Sequence, residues 1–147
     1  MPATQDVVQT GSFTFDVEVQ NVGDLGAYEI GIDYDASLLS LVSVTNGAFL
    51  GSTGRTVSCP SFSAGIGSVR FGCATLGSEP AGPTGSGVLA RFTFLGNAAG
   101  ASPLTLASPI LLTRFAVVIP VQVTQNGSVT VQPCSGPCPT ATPTPTP

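Results

Sequence analysis

In stretch after stretch between Ser12 and Val131, apolar side chains recur at every second residue, a period that an extended strand with one buried face satisfies and a helix does not. Phe13, Phe15, Val17 and Val19 alternate with Ser12, Thr14, Asp16 and Glu18. Tyr28, Ile30, Ile32 and Tyr34 repeat the pattern against Ala27, Glu29, Gly31 and Asp33, and Val88, Ala90, Phe92 and Phe94 do so again. Leu39, Leu41 and Val42 to Val44 make a further strand. Arg55 to Phe62 and Ser68 to Thr75 read as a hairpin about the Ala64-Gly65-Ile66-Gly67 turn, and Leu104 to Leu106, Ile110 to Leu112, Phe115 to Val123 and Ser128 to Val131 complete the set. Asn46-Gly47, Gly96-Asn97 and Asn126-Gly127 punctuate the pattern. Eight or nine short strands with turns at intervals of roughly ten residues predict an all-β jelly-roll β-sandwich. The one helical candidate is a single turn, Ala36 to Leu39, with Asp35 placed to cap it.

At Pro133 the material changes. PCSGPCPTATPTPTP has nothing to bury and favours a disordered or extended, polyproline-like course. The chain therefore divides into a sandwich over residues 1–132 and a Cys/Pro/Thr-rich linker or stalk over residues 133–147, where Thr140, Thr142, Thr144 and Thr146 are candidate O-glycosylation sites. The four cysteines, Cys59, Cys73, Cys134 and Cys138, are even in number in a chain without histidine, which fits an oxidising compartment. Of the three pairings, Cys59–Cys73 and Cys134–Cys138 close the shortest loops. A four-cysteine zinc site is the alternative, although neither spacing is the C-x₂-C of a zinc ribbon. Met1 runs directly into Pro2-Ala3-Thr4 without a leader pattern; with the cysteines and the stalk, this reads as a trimmed or mature start of an extracellular or cell-surface protein.

Residue content excludes several functions. The longest apolar run, Ala116 to Val121, is strand-sized and contains Pro120, so no spanning helix is expected. Net charge is −4, and Arg55, Arg70, Arg91 and Arg114 are the only basic residues, each isolated; nucleic acid and anionic membrane are poor partners. Without histidine or lysine there is no Ser-His-Asp or Cys-His arrangement, no Schiff base and no phosphate-reading lysine, and Gly65-Ile66-Gly67 is a turn rather than a phosphate loop. A glycosidase pair needs two carboxylates about 5–10 Å apart across a cleft. Glu29 and Asp33 stand roughly 13 Å apart along a strand, whereas Asp33 and Asp35, at roughly 7 Å, share a face that lacks tryptophan. No enzymatic activity is expected. Asp24, Asp33 and Asp35 are the candidate calcium ligands if they gather at one sheet end; no other cofactor is indicated. For carbohydrate stacking, alternation leaves only Phe49, Phe62 and Phe115 on loops or edges.

Gly23 to Leu50, GDLGAYEIGIDYDASLLSLVSVTNGAFL, resembles a cohesin domain, the β-sandwich module of bacterial scaffolding proteins that binds dockerins. The resemblance runs through Tyr34-Asp35, Leu38-Leu39, Val42-Ser43-Val44 and Gly47-Ala48-Phe49-Leu50. It continues in Gly67-Ser68-Val69-Arg70-Phe71, the Gly85-Ser86-Gly87-Val88-Leu89-Ala90 entry to a Phe-rich strand, and Asn126-Gly127-Ser128-Val129-Thr130-Val131, spanning most of residues 6 to 131 in the family's order. It implies a nine-stranded jelly roll, secretion, no catalysis, protein recognition on one sheet face, and kinship with carbohydrate-binding sandwiches of cellulose-degrading systems.

The resemblance places the recognition sheet on the strands holding Ala27 to Asp33 and Ser68 to Gly72, with Glu29, Gly31, Asp33, Ser68 and Arg70 outward and Arg55 on the neighbouring strand. The expected function is a non-catalytic interaction module with a dockerin-like partner. Two alternatives stay open: a subunit of an extracellular filament built by strand or tail complementation between copies, and a carbohydrate-binding module acting on polysaccharide. The filament alternative starts from the short stretch before Phe13, which leaves the edge beside Phe13 to Val19 to be filled either by Asp6-Val7-Val8-Gln9 or by another chain. The tail is a poor ladder partner at its prolines, although its threonines retain donors.

Overall fold

The computed structural model describes residues 4–123 and 126–134, with the side chain of residue 61 left aside. Among them are ten strands: β1 (Thr4–Val8), β2 (Ser12–Val22), β3 (Leu25–Asp33), β4 (Leu39–Asn46), β5 (Val57–Gly65), β6 (Ser68–Thr75), β7 (Gly85–Gly96), β8 (Gly100–Thr113), β9 (Val118–Ile119) and β10 (Gly127–Gln132). Two layers result. One sheet runs β2-β7-β4, and the other runs β1-β10-β8-β3-β6-β5, with β9 also on β8.

The alternation in β2 and β7 builds the small sheet's inner face. Phe13 stands opposite Phe94 and Phe15 opposite Phe92. The rings stack across the pair, 5.9 Å for Phe13–Phe94 and 5.5 Å for Phe15–Phe92, and Tyr34 meets Phe94 edge-on at 4.8 Å. Such pairs add roughly 0.5–1.5 kcal/mol each beyond the area they bury. From the facing sheet Leu25, Tyr28, Ile30, Ile32, Val69, Phe71, Leu104, Leu111, Val129 and Val131 close the core.

Three expectations about strands are revised. Leu104 to Leu106 and Ile110 to Leu112 are one strand, β8, which pairs β10 through Gly100–Leu104 and β3 through Thr105–Thr113. It accommodates one extra residue between Ala107 and Ile110, with Ser108 at φ 44°. Phe115 to Val123 supplies only the two residues of β9. Its start is consumed by a turn, in which Ala116 (φ 62°) donates its N–H to the Thr113 carbonyl and Thr113 takes the N–H of Phe115 and Val117 on its hydroxyl; Pro120 then lacks a ladder donor. Third, the N-terminal residues do form a strand of their own, but on the other sheet. β1 pairs β10 in parallel, Thr4 to Val8 opposite Ser128 to Gln132, and does not join the ladder of β2. Asp6 to Gln9 therefore does not fill the edge beside Phe13 to Val19.

Asp35 caps the turn before β4. Its Oδ1 accepts the Ser37 backbone N–H at 2.9 Å and the Ser37 hydroxyl at 2.6 Å, and its carbonyl accepts the N–H groups of Leu38 and Leu39. Residues 135–147 lie outside the described residues. The pairing of Cys134 with Cys138 and glycosylation of Thr140, Thr142, Thr144 and Thr146 therefore fall outside them too.

Candidate functional site

Pleating sends alternate residues of β5, β6, β3 and β8 away from the core, and register decides which ones stand together. Opposite Ala27, Glu29, Gly31 and Asp33 of β3 lie Ala74, Gly72, Arg70 and Ser68 of β6 on one side. On the other side lie Leu112, Ile110, Ala107 and Thr105 of β8. Ser58, Ser63 and Gly65 of β5 continue the face beyond β6. Small residues dominate this surface, so it is nearly flat and its backbone is close to any partner.

Arg70 crosses the middle of the face. Its Nε donates to Glu29 Oε2 at 2.7 Å, and its Nη1 and Nη2 donate to the carbonyls of Ala107 (3.1 Å) and Ser108 (2.9 Å). Gly31 makes room for that path: a Cβ there would meet Arg70 Nη1 at 3.0 Å and the Ala107 carbonyl at 3.1 Å. Both members of the ion pair remain partly exposed, so its worth to stability is at most about a kcal/mol. Beside the pair is a depression of about 160 Å³, bounded by Ala27, Glu29, Pro60, Gly72, Ala74, Ile110 and Leu112. Ile110 is 44 % exposed, an aliphatic side chain presented to solvent on a sheet face.

Behind the face, the Cys59–Cys73 disulfide joins β5 to β6 at the register break between Ser58 and Ser61. Pro60, in the same break, thereby becomes a wall of the depression. The Tyr28 hydroxyl, on the core side of β3, lies 2.7 Å from the Leu89 carbonyl oxygen and 2.9 Å from Asn46 Oδ1, and burial pushes its ionisation well above the usual tyrosine range.

Of the expected interface residues, Glu29, Gly31, Asp33, Ser68 and Arg70 share this face. Arg55 does not. It is 4 % exposed and donates to Thr75 Oγ1 (2.9 Å), the Pro80 carbonyl (2.6 Å) and the Gly77 carbonyl (2.6 Å), clamping the loop between β6 and β7. A buried guanidinium needs such acceptors, and the loop carbonyls supply them.

The calcium set is corrected as well. Asp24 precedes β3 whereas Asp33 and Asp35 lie at its far end, separated by nearly the full strand, about 30 Å. Asp24 instead accepts the Gly82 N–H (2.7 Å) and pairs with Arg114 (3.2 Å), while Asp35 caps its turn. Among the aromatics expected on loops, Phe49 is buried at 9 % exposure, packed where Gly87 has no side chain; Phe62 and Phe115 are exposed. The depression beside Ile110 was not foreseen. The Ile110–Leu112 pattern carried its signal, but only the register of β8 against β3 shows which face it joins.

The family model described as Cohesin domain matches residues 3–131. No curated protein matches the chain. Among solved structures, the fold is similar to a non-cellulosomal cohesin from the archaeon Archaeoglobus fulgidus at 18 % identity, covering 88 % of this chain and 86 % of that one with a TM-score of 0.69. It is also similar to the seventh ScaB type I cohesin from Pseudobacteroides cellulosolvens at 19 % identity, covering 90 % of each chain with a TM-score of 0.71. A type I cohesin–dockerin complex from Clostridium thermocellum matches at 12 % identity, 90 % and 91 % coverage and a TM-score of 0.72. With a family match over nearly the whole sandwich, this chain belongs to the cohesin domain family.

Proposed function

We propose that the chain is a non-catalytic, extracellular or cell-surface recognition module whose β5-β6-β3-β8 face binds a dockerin-like protein. The observation that carries this reading is the make-up of that face: Ala27, Gly31, Gly72 and Ala74 let a partner's backbone approach closely. The depression at Ile110 and Leu112 receives one aliphatic side chain, and Glu29, Asp33 and Arg70 set charge register around it. An interface with an apolar centre and a charged rim has this composition. Dockerin-bound relatives support the class of partner. In the same reading, residues 133–147 are the stalk that presents the sandwich, and the four cysteines and the Thr/Pro run support a location outside the cell.

The test is binding to a panel of purified dockerin domains by titration calorimetry, with Ile110→Glu and Gly72→Arg as face variants. Losing a buried aliphatic contact costs roughly 1.5–3 kcal/mol, or about 10- to 150-fold in Kd. Silence across the panel, or a dockerin whose affinity ignores both substitutions, would refute the assignment.

A further inference from the structure

Among the described residues, the 11-residue strand β2 has a ladder partner on one edge only. It pairs β7, and among the described residues no strand pairs its other edge. One side-chain contact identifies which residues face that way: Gln5 Nε2, on β1, donates to the Thr14 carbonyl at 3.3 Å. In a strand the N–H and C=O of one residue point to the same edge, and alternate residues repeat it. Asp16, Glu18 and Gln20 therefore turn their backbone groups outward along the stretch that β1, which starts at Thr4, does not flank. Alongside lies a groove of about 570 Å³, floored by Ile30, Leu89, Leu106 and Leu111 and walled on its far side by Ile119 to Val123. An edge with a regular two-residue repeat of donors and acceptors beside an apolar floor is the acceptor half of a strand-addition site.

The chain also carries a segment with matching chemistry. In Thr140-Ala141-Thr142-Pro143-Thr144-Pro145-Thr146-Pro147, every second residue is threonine, and the residues between are Ala141 and three prolines. Extended, all four threonines turn N–H and C=O to one edge, while the missing donors of the prolines fall on the other. Such a segment can add to a sheet from one side and cannot be extended from the other, the role to which proline-bearing edge strands are confined. Eight residues span roughly 26 Å, enough to cover the roughly 16 Å of regular edge from Asp16 to Gln20, beyond which Asn21 (φ 56°) and a register shift break the repeat. Whether its prolines or its threonines face the apolar floor is set by whether it adds parallel or antiparallel to β2.

We infer that the free edge of β2 takes residues 140–147 of a second copy of this chain as an added strand. The same copy's tail is poorly placed to do so. β10 ends where Gln9 donates its N–H to the Gln132 carbonyl, beside the turn that leads into β2, and β1 lies between that point and the open stretch. A tail in its own chain would have to cross over β1, and connections avoid such crossings. Because donor tail and acceptor edge are different surfaces, the contact is heterologous and propagates head to tail.

Sedimentation of the 147-residue chain tests this. Its mass should rise with concentration beyond a dimer, and a synthetic peptide of residues 139–147 should reverse the rise. Glu18→Pro removes an outward N–H from the acceptor edge, and Thr142→Pro with Thr144→Pro removes donors from the tail without touching the sandwich. Each variant alone should associate at least tenfold more weakly, and the two mixed should stop at a 1:1 dimer, with one usable edge and one usable tail between them. A wild-type chain monomeric at millimolar concentration overturns the inference, whether the edge is then empty or covered by its own tail. So does assembly unaffected by the tail variant, which keeps the test decisive if Glu18→Pro fails to fold.

Discussion

Replacing both Cys59 and Cys73 with alanine should lower the melting temperature by about 11 °C, and the figure follows from the hairpin they close. The two residues are 14 apart in sequence, so the disulfide restricts a loop of about 15 residues in the unfolded chain, worth about 3 kcal/mol in the chain-entropy model. In the folded state the hairpin is already held by the pairing of Ser61–Gly65 with Ser68–Gly72, so the bond adds little new order there. Taking about 2.1 cal/mol/K of unfolding entropy per residue over about 130 folded residues gives roughly 0.27 kcal/mol/K. Dividing 3 by that value yields the shift. Cys73 is also buried against the Tyr28 hydroxyl, so the lost sulfur packing acts in the same direction. Differential scanning calorimetry of the double variant reads the effect directly. A shift below about 4 °C, with the unfolding transition still two-state, would mean that the unfolded hairpin is already constrained without the bond and that the loop-entropy argument fails.

Two other perturbations have defined outcomes. Tyr28→Phe removes the one buried O–H that stands 2.7 Å from the Leu89 carbonyl and 2.9 Å from Asn46 Oδ1, leaving the Leu89 carbonyl without that donor, and should cost roughly 1–3 kcal/mol by chemical denaturation, with the fold retained by circular dichroism; a neutral effect would refute the role of that hydroxyl. The Ser37 hydroxyl and then its backbone N–H favour the charged form of Asp35 and hold its carboxyl below the ordinary value. Its contribution is therefore present above about pH 4 and disappears as pH falls through the lower folded value. The gap in melting temperature between wild type and Asp35→Ala should accordingly be constant from pH 7 to 5 and close toward pH 2; a gap independent of pH would show that the charge plays no part in the cap.

Period-two alternation made the strands legible because burial of one sheet face is a local property of sequence. Phe13, Phe15, Phe92 and Phe94 declared both their strands and their inward direction. Pairing was less legible, because it depends on residues far apart: nothing in Thr4 to Val8 says that its partner is Ser128 to Gln132 rather than the neighbouring Ser12 to Val22. The merger of two short apolar runs into β8 was hidden by Ser108-Pro109, which reads as a break until the backbone at Ser108 absorbs it as an extra residue. Arg55 and Phe49 were misplaced for a related reason. The partners that bury them, the carbonyls of Gly77 and Pro80 and the bare backbone of Gly87, come from segments whose approach is set by the whole sandwich. The proposed recognition face was readable on β3 and β6 through alternation. Its apolar half on β8 was not, since the extra residue shifts which side chains point outward.

That shift links the two surfaces of the molecule. Along β8, Leu106 points to the core and Ala107 to the face; without the extra residue, Ile110 would point inward and Leu111 outward. Three residue steps on β8 against two on β3 reverse the phase, so that Ile110 and Leu112 reach the face while Leu106 and Leu111 both floor the groove beside β2. The carbonyls of Ala107 and Ser108 in this irregular stretch are held by Arg70 from β6. One guanidinium on the proposed recognition face thus maintains the register on which the apolar half of that face and the groove floor both depend. Arg70→Lys keeps the charge but cannot span Glu29 and two carbonyls with one planar fork. It would loosen the bulge from the face side, and amide exchange at Ser108 and Ile110 would rise before that of β2 or β7.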